Sequence, residues 1–364
     1  MRATERLAFV TLLGIMMCSA TAAMAQTEAP REPDKVWSYL NALPAAERQP
    51  ILEREAAREG RVVVYGALGI DRINLFIEPF QKQYPGIKVD FVRLSESDLA
   101  DKLLLESRTR RVNSDAAVAS IPWLDLIKPA LAPYQTTTWD VFDPRLRFGG
   151  ASAGWSALSY EILPSSIAWR TDRVPSADAP KTLDAVADPK WKDRAGTTTQ
   201  LESMYQGLIL AYGEAEAKGK LERLAALGNR LYTSIAALSD ALAQGEIDIA
   251  WNMGAHRPSQ LKAKGAPVDF VLPTPTFGQG ITISTIKGSE HPYAAALFME
   301  FATRADVLET VDKTEPGRFF GNTKGRYTLD LSNYAKLVLF PALDRNRFRE
   351  LKQQTDRLFV RQAR

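Results

Sequence analysis

The chain carries one cysteine, Cys18, and two histidines, His256 and His291. That set cannot assemble a zinc site of four cysteines, or of two cysteines and two histidines, and it allows no intrachain disulfide. A large excess of either charge is also missing. Lys and Arg number 46 against 43 Asp and Glu, a formal net charge of +3. Nucleic-acid binders usually concentrate basic charge well beyond this balance, so no nucleic acid is expected as a partner. Long hydrophobic runs are scarce, and none reaches the roughly 18 residues of a transmembrane helix. What remains is an ordinary globular composition. The 364 residues, 45% hydrophobic and 24% charged, suffice for one large core or two normal domains. Disorder, collagen and coiled coil are excluded as the main architecture.

The N-terminus reads as an export signal over residues 1–25. Arg2 and Arg6 form a positive start, Leu7 to Met17 is largely apolar, and Ala23-Met24-Ala25 supplies the small-x-small cleavage pattern. The apolar run is too short to anchor the chain in a bilayer. Met16 and Met17 precede Cys18, where a lipoprotein signal has small residues. Cleavage after Ala25 leaves a mature chain without a thiol, held by its core and expected in the periplasm.

Residues 26–60 read as a helical lead-in, which Pro44 and Pro50 break and Gly60 stops. Arg61 to Gly66 is a continuous β-branched run of the buried parallel type. Helical spacing follows over Ile73 to Tyr84, a strand over Ile87 to Val92, a helix over Ser97 to Arg108 and a strand over Ala116 to Ser120. This β-α-β-α-β order predicts an α/β fold with a mainly parallel sheet. Extended character follows around Ile162 and Ile167. Helices are expected over 184–188, 201–212, 218–227 and 235–244, strands over 247–251, 268–272 and 281–286, and a helix over 292–302. The last stretch, from Ala342, reads as helical and basic, with an apolar side through Leu343, Phe348, Leu351, Leu358 and Phe359.

Several segments, in order, resemble the extracellular solute-binding proteins of ABC importers. They include Glu59 to Gly66, Phe80 to Val89, Leu131-Ala132-Pro133-Tyr134, Ile167 to Val174, Ala179 to Leu183, Asp188-Pro189-Lys190-Trp191-Lys192, and His291-Pro292 with the following helix. The branch most similar is that of ferric-iron and related small-solute binders. The resemblance implies a type II periplasmic-binding-protein fold with two α/β lobes, hinge strands between them and the ligand in the cleft. On this reading residues 61–165 open lobe 1, 166–272 form lobe 2, 273–330 return to lobe 1, and 331–364 form a C-terminal helical segment. It further implies a monomer without a cofactor that delivers a small-molecule solute to an inner-membrane ABC permease.

Open parallel sheets bind ligands beyond the carboxyl ends of their strands. That rule selects Tyr65, Ala67, Leu68, Ser95, Ser120 and Trp123 as candidates on one lobe; on the other, Thr198 and Thr199 precede a helix and, with Tyr205, are candidates to meet the ligand from the opposite side. For each there is a plainer role: core for the aromatics, helix capping for the serines and threonines, with Ser97 the expected N-cap. Asn252, His256 and Arg257 follow a strand, and an arginine there can hold a carboxylate or phosphate in a bidentate grip. Ferric-binding relatives carry two adjacent tyrosines at this point and a histidine after the first strand. Here Ala255-His256 and Leu68-Gly69 stand in those places. A small organic, anionic solute is therefore expected, with ferric ion the alternative. An alternative of another class is an exported serine hydrolase, since Gly150-Ala151-Ser152-Ala153-Gly154 matches a nucleophile elbow. That elbow needs a buried strand before the serine and a helix after it, and the flanking residues fit neither.

Overall fold

The structure, a computed structural model, describes residues 28–314, 317–321 and 336–360. The expected export signal, its cleavage site and Cys18 lie outside the described residues, as do 322–335 and 361–364 of the expected lobe return and C-terminal segment.

Two helices open the described chain, α1 (Pro33–Ala42) and α2 (Ala45–Glu59). The break falls at Pro44, which caps α2, while Pro50 lies inside that helix and does not end it. Burial of Arg48, Leu52 and Ala56 along one face carries the helix past the one hydrogen bond a proline removes. Gly60 stops it in the left-handed region, at φ 66°.

The alternating part follows: β1 (Arg61–Gly66), α3 (Ile70–Gln83), β2 (Lys88–Arg93), α4 (Glu96–Thr109) and β3 (Ala116–Ser120). Strand β1 lies parallel between β2 and β3. Its side chains feed two cores, as the period of a strand requires. Val62 and Val64 join Phe76, Phe80 and Phe298 on one face, and Val63 and Tyr65 join Leu99 and Leu103 on the other. The N-cap of α4 is Ser95, two residues earlier than the expected Ser97 cap, because its hydroxyl accepts from the Asp98 N–H at 3.1 Å.

After α5 (Leu124–Ile127) and β4 (Arg147–Gly150) comes β5 (Trp155–Arg170), a strand of 16 residues. The second lobe contains α6 (Leu183–Val186), β6 (Ala195–Thr198), α7 (Glu202–Tyr212), α8 (Glu214–Ala225), β7 (Arg230–Tyr232), α9 (Ile235–Gln244), β8 (Ile249–Gly254), α10 (His256–Ala263) and β9 (Val268–Val271). The chain returns through β10 (Thr276–Thr285), α11 (Pro292–Ala302) and α12 (Ala305–Thr314). It closes with β11 (Phe319–Phe320), β12 (Leu337–Leu339) and α13 (Arg345–Thr355). The sequence pattern anticipates neither helices α5, α10 and α12 nor the short strands β4, β6, β7, β11 and β12.

The strand order is β2-β1-β3-β10-β5-β8-β6-β7, with β4, β9 and β11 also on β5 and β12 on β10. Strand β5 joins the lobes. Its residues Leu158 to Pro164 pair with β10, and Ser165 to Arg170 pair with β8 and β9. The second lobe has its own core around Trp169, Leu208, Leu221 and Trp251. Leu343, Leu351 and Phe359 of the C-terminal segment are buried in that core. No helix among the described residues is long and apolar enough to cross a membrane.

Candidate functional site

Glu161 stands where β5 passes from one lobe to the other, and it is fully buried. It is the one charged residue between Trp155 and Trp169. A carboxylate buried in an apolar strand requires a cationic partner. Two guanidiniums supply it: Arg72 and Arg318 each donate to a separate Glu161 oxygen. Arg72 comes from the first turn of α3, directly after the Ala67-Leu68-Gly69 turn that ends β1. Arg318 precedes β11, whose Phe320 pairs with Glu161 in register. Burial pushes the Glu161 carboxyl up, the two guanidiniums outweigh it, and the group sits below its ordinary range.

The second lobe reaches the same place through the end of β8. Asn252 adopts a left-handed conformation, φ 55°, and the β5–β8 register shifts between Ser166 and Ile167. Asparagine tolerates this region better than most residues. The Ser165 hydroxyl donates to Asn252 Oδ1 at 3.2 Å, and the Ala255 N–H donates to the Pro164 carbonyl at 2.9 Å. The irregular strand end delivers His256 and Arg257 as the first residues of α10. Gly317 lies against this turn. A Cβ there would sit 2.9 Å from both the Ala255 carbonyl oxygen and the His256 Cα.

Several charges meet at this junction. The guanidiniums of Arg72, Arg318 and Arg257 and the carboxylates of Glu161 and Asp312 all act on one another or on His256. Burial, then the charges of Arg318 and Arg257, push the His256 imidazolium down to about 3, so the ring is neutral at physiological pH. Burial pushes Asp312 up to about 6, against the pull of Arg72. His256 Nδ1 and Arg257 Nε are buried and have no hydrogen-bond partner among the described residues. Burying such groups unpaired costs about 1–3 kcal/mol each.

The other sequence-derived candidates are placed as follows. The Tyr65 hydroxyl donates to Glu106 at 3.0 Å and its ring packs against α4, so it serves the first-lobe core. Ala67 donates its N–H to Val118 at 3.4 Å, and Leu68 packs on the same lobe's core. Ser95 is occupied as the α4 cap. Ser120, at the end of β3, is buried and donates its N–H to Glu96 at 3.1 Å. Trp123 is half-buried and packs against Phe348 of α13, ring centroids 5.6 Å apart. The Thr198 hydroxyl donates to the Gln200 carbonyl at 3.4 Å, and the Thr199 N–H donates to Tyr232 at 2.9 Å. Tyr205 is buried in the second-lobe core. Asn252, His256 and Arg257 are thus the candidates that stand at the lobe junction, and sequence reasoning missed Arg72, Glu161, Asp312 and Arg318. Ser152 lies exposed on a single turn between β4 and β5. A strand follows it where a nucleophile elbow has a helix.

Comparison with known proteins agrees with this architecture. Iron-bound HitA from Pseudomonas aeruginosa superimposes with a TM-score of 0.67 at 19% identity, covering 82% of this chain and 99% of HitA. The substrate-binding protein of an ABC transporter from Agrobacterium tumefaciens gives 0.69 at 15% identity, covering 83% and 96%. AfuA from Actinobacillus pleuropneumoniae, solved with fructose-6-phosphate, gives 0.62 at 18% identity, covering 83% and 97%. No curated sequence matches the chain significantly. Residues 67–309, well over half the chain, match the family of bacterial extracellular solute-binding proteins. The chain therefore belongs to the bacterial extracellular solute-binding protein family.

Proposed function

We propose that the chain is the periplasmic receptor of an ABC importer and that it holds a small anionic organic solute at the junction of its lobes. The observation that carries this reading is the pair of buried nitrogens, His256 Nδ1 and Arg257 Nε, that have no hydrogen-bond partner among the described residues. A neutral imidazole donates or accepts without adding charge, and the arginine supplies the charge complement. The site has no pair of tyrosines at Ala255-His256, so the hard phenolate donors that suit ferric ion are missing there. AfuA shows that a structure of this type can hold a sugar phosphate.

The family places the protein outside the cytoplasm, and the reading adds export through cleavage after Ala25, action as a monomer, and release of the solute to an inner-membrane permease. Binding should shift the balance between lobe arrangements, because the ligand touches both. The test is a melting-temperature screen with fructose-6-phosphate, citrate and ferric ion. A ligand at one hundred times its dissociation constant adds about 2.7 kcal/mol of stability, a rise of several degrees. An anion should give that rise, and Arg257→Ala should abolish it. A rise with ferric ion alone would reverse the reading.

A further inference from the structure

A recess lies away from the Glu161 junction and shares no residue with it. It is a cavity of about 280 Å3 between the first lobe and the C-terminal helix α13. Pro122, Trp123 and Leu126 form its first-lobe wall, and Leu343 and Phe348 form the opposite one. The volume is near the lower end for small-ligand pockets, about 300–1,000 Å3. The lining is apolar and aromatic, with a basic rim.

Most of that rim is neutralised. Arg345 pairs with Asp101, and Lys352 pairs with Asp356 at 3.1 Å and with Glu202 at 3.6 Å. Arg349 also lines the cavity, yet no carboxylate among the described residues pairs with it. The recess therefore combines two aromatic rings, tilted at 47° to each other where the walls meet, with a guanidinium that has no carboxylate partner among the described residues. Apolar rings bind the faces of Trp and Phe, and a carboxylate takes an arginine in a charge-assisted, bidentate way.

We propose that this groove binds a planar aromatic carboxylate, its ring against the apolar wall of Pro122, Trp123 and Leu126 with Phe348 at its edge, and its carboxylate on Arg349. The two walls belong to different parts of the molecule, since Leu351 and Phe359 root the C-terminal segment in the second-lobe core. An occupant therefore bridges both lobes at their edge and favours the arrangement seen here.

Isothermal titration of the full mature chain with indole-3-acetate tests the proposal. The wild type should bind, and Arg349→Glu, an exposed substitution, should weaken binding by about tenfold or more. Neutral indole-3-acetamide should be weaker by a similar factor, and Phe348→Ala should also lose affinity. Binding should persist in Arg257→Ala, which separates this groove from the lobe junction. The absence of binding up to about 10 mM would overturn the proposal. So would binding that Arg349→Glu leaves intact and Arg257→Ala abolishes, because the compound would then occupy the junction.

Discussion

Glu161 shows how a single residue commits the chain to a charged interior. Its two oxygens are each held by a buried guanidinium, Arg72 and Arg318. Removing one partner of a buried ion cluster leaves the rest uncompensated, at a cost of about 3–5 kcal/mol. Glu161→Ala should lose about that much in urea unfolding, and a loss under 1 kcal/mol would mean the cluster is solvated. His256 gives a pH signature. Its folded value lies near 3 and its ordinary value near 6.5. Between those limits the unfolded chain takes up a proton that the folded chain refuses. The His256 contribution to stability is therefore present above about 6.5 and is lost as pH falls toward about 3, by about 1.4 kcal/mol per pH unit. Asp312, raised to about 6, pulls the other way, because its folded form holds a proton that the unfolded chain has released. The difference between wild type and His256→Gln isolates the histidine. The wild type should lose more stability from pH 6.5 to 4.5, and equal slopes would remove this assignment.

At the scale of the element, β5 and its neighbours decide where the site forms. Gly317 has φ 94° and its backbone touches the first turn of α10. Gly317→Ala adds both left-handed strain and a contact with backbone atoms that cannot rotate away. It should lift this segment from α10 and weaken solute binding at least tenfold while the circular dichroism of the helices persists; unchanged affinity would show that the contact is incidental. Elements with strong local patterns were legible from sequence: β1, β3, α9 and α11 lie where periodicity and flanking glycines put them. Strand β5 was legible as extended character around Ile162 and Ile167, without its full length from Trp155 to Arg170. Pairing with β10 on one side and β8 on the other keeps it continuous. The site was half legible for the same reason. Asn252, His256 and Arg257 follow a strand and can be found by rule. Arg72, Glu161 and Arg318 are far apart in the chain and meet only through tertiary pairing. The lone charge of Glu161 in an apolar run was the available signal, since a buried carboxylate announces a distant cation.

The whole molecule is a solute-binding protein in which β5 and β10 each contribute to the cores of both lobes and the C-terminal helix is packed into the second lobe. The fold was readable because ordered segment resemblances span most of the chain, and the family match over residues 67–309 rests on the same stretch. The ligand was not readable, because the residues that would select it come from both lobes. The central claim is that the junction of Arg72, Glu161, His256, Arg257 and Arg318 holds a small anion. Native mass spectrometry of the protein released gently from the periplasm of cells in rich medium tests it most directly. The account predicts a bound mass of a small organic acid or phosphate ester that is lost on denaturation and is absent from Arg257→Ala. An increment the size of a single iron ion, retained in Arg257→Ala, would contradict it.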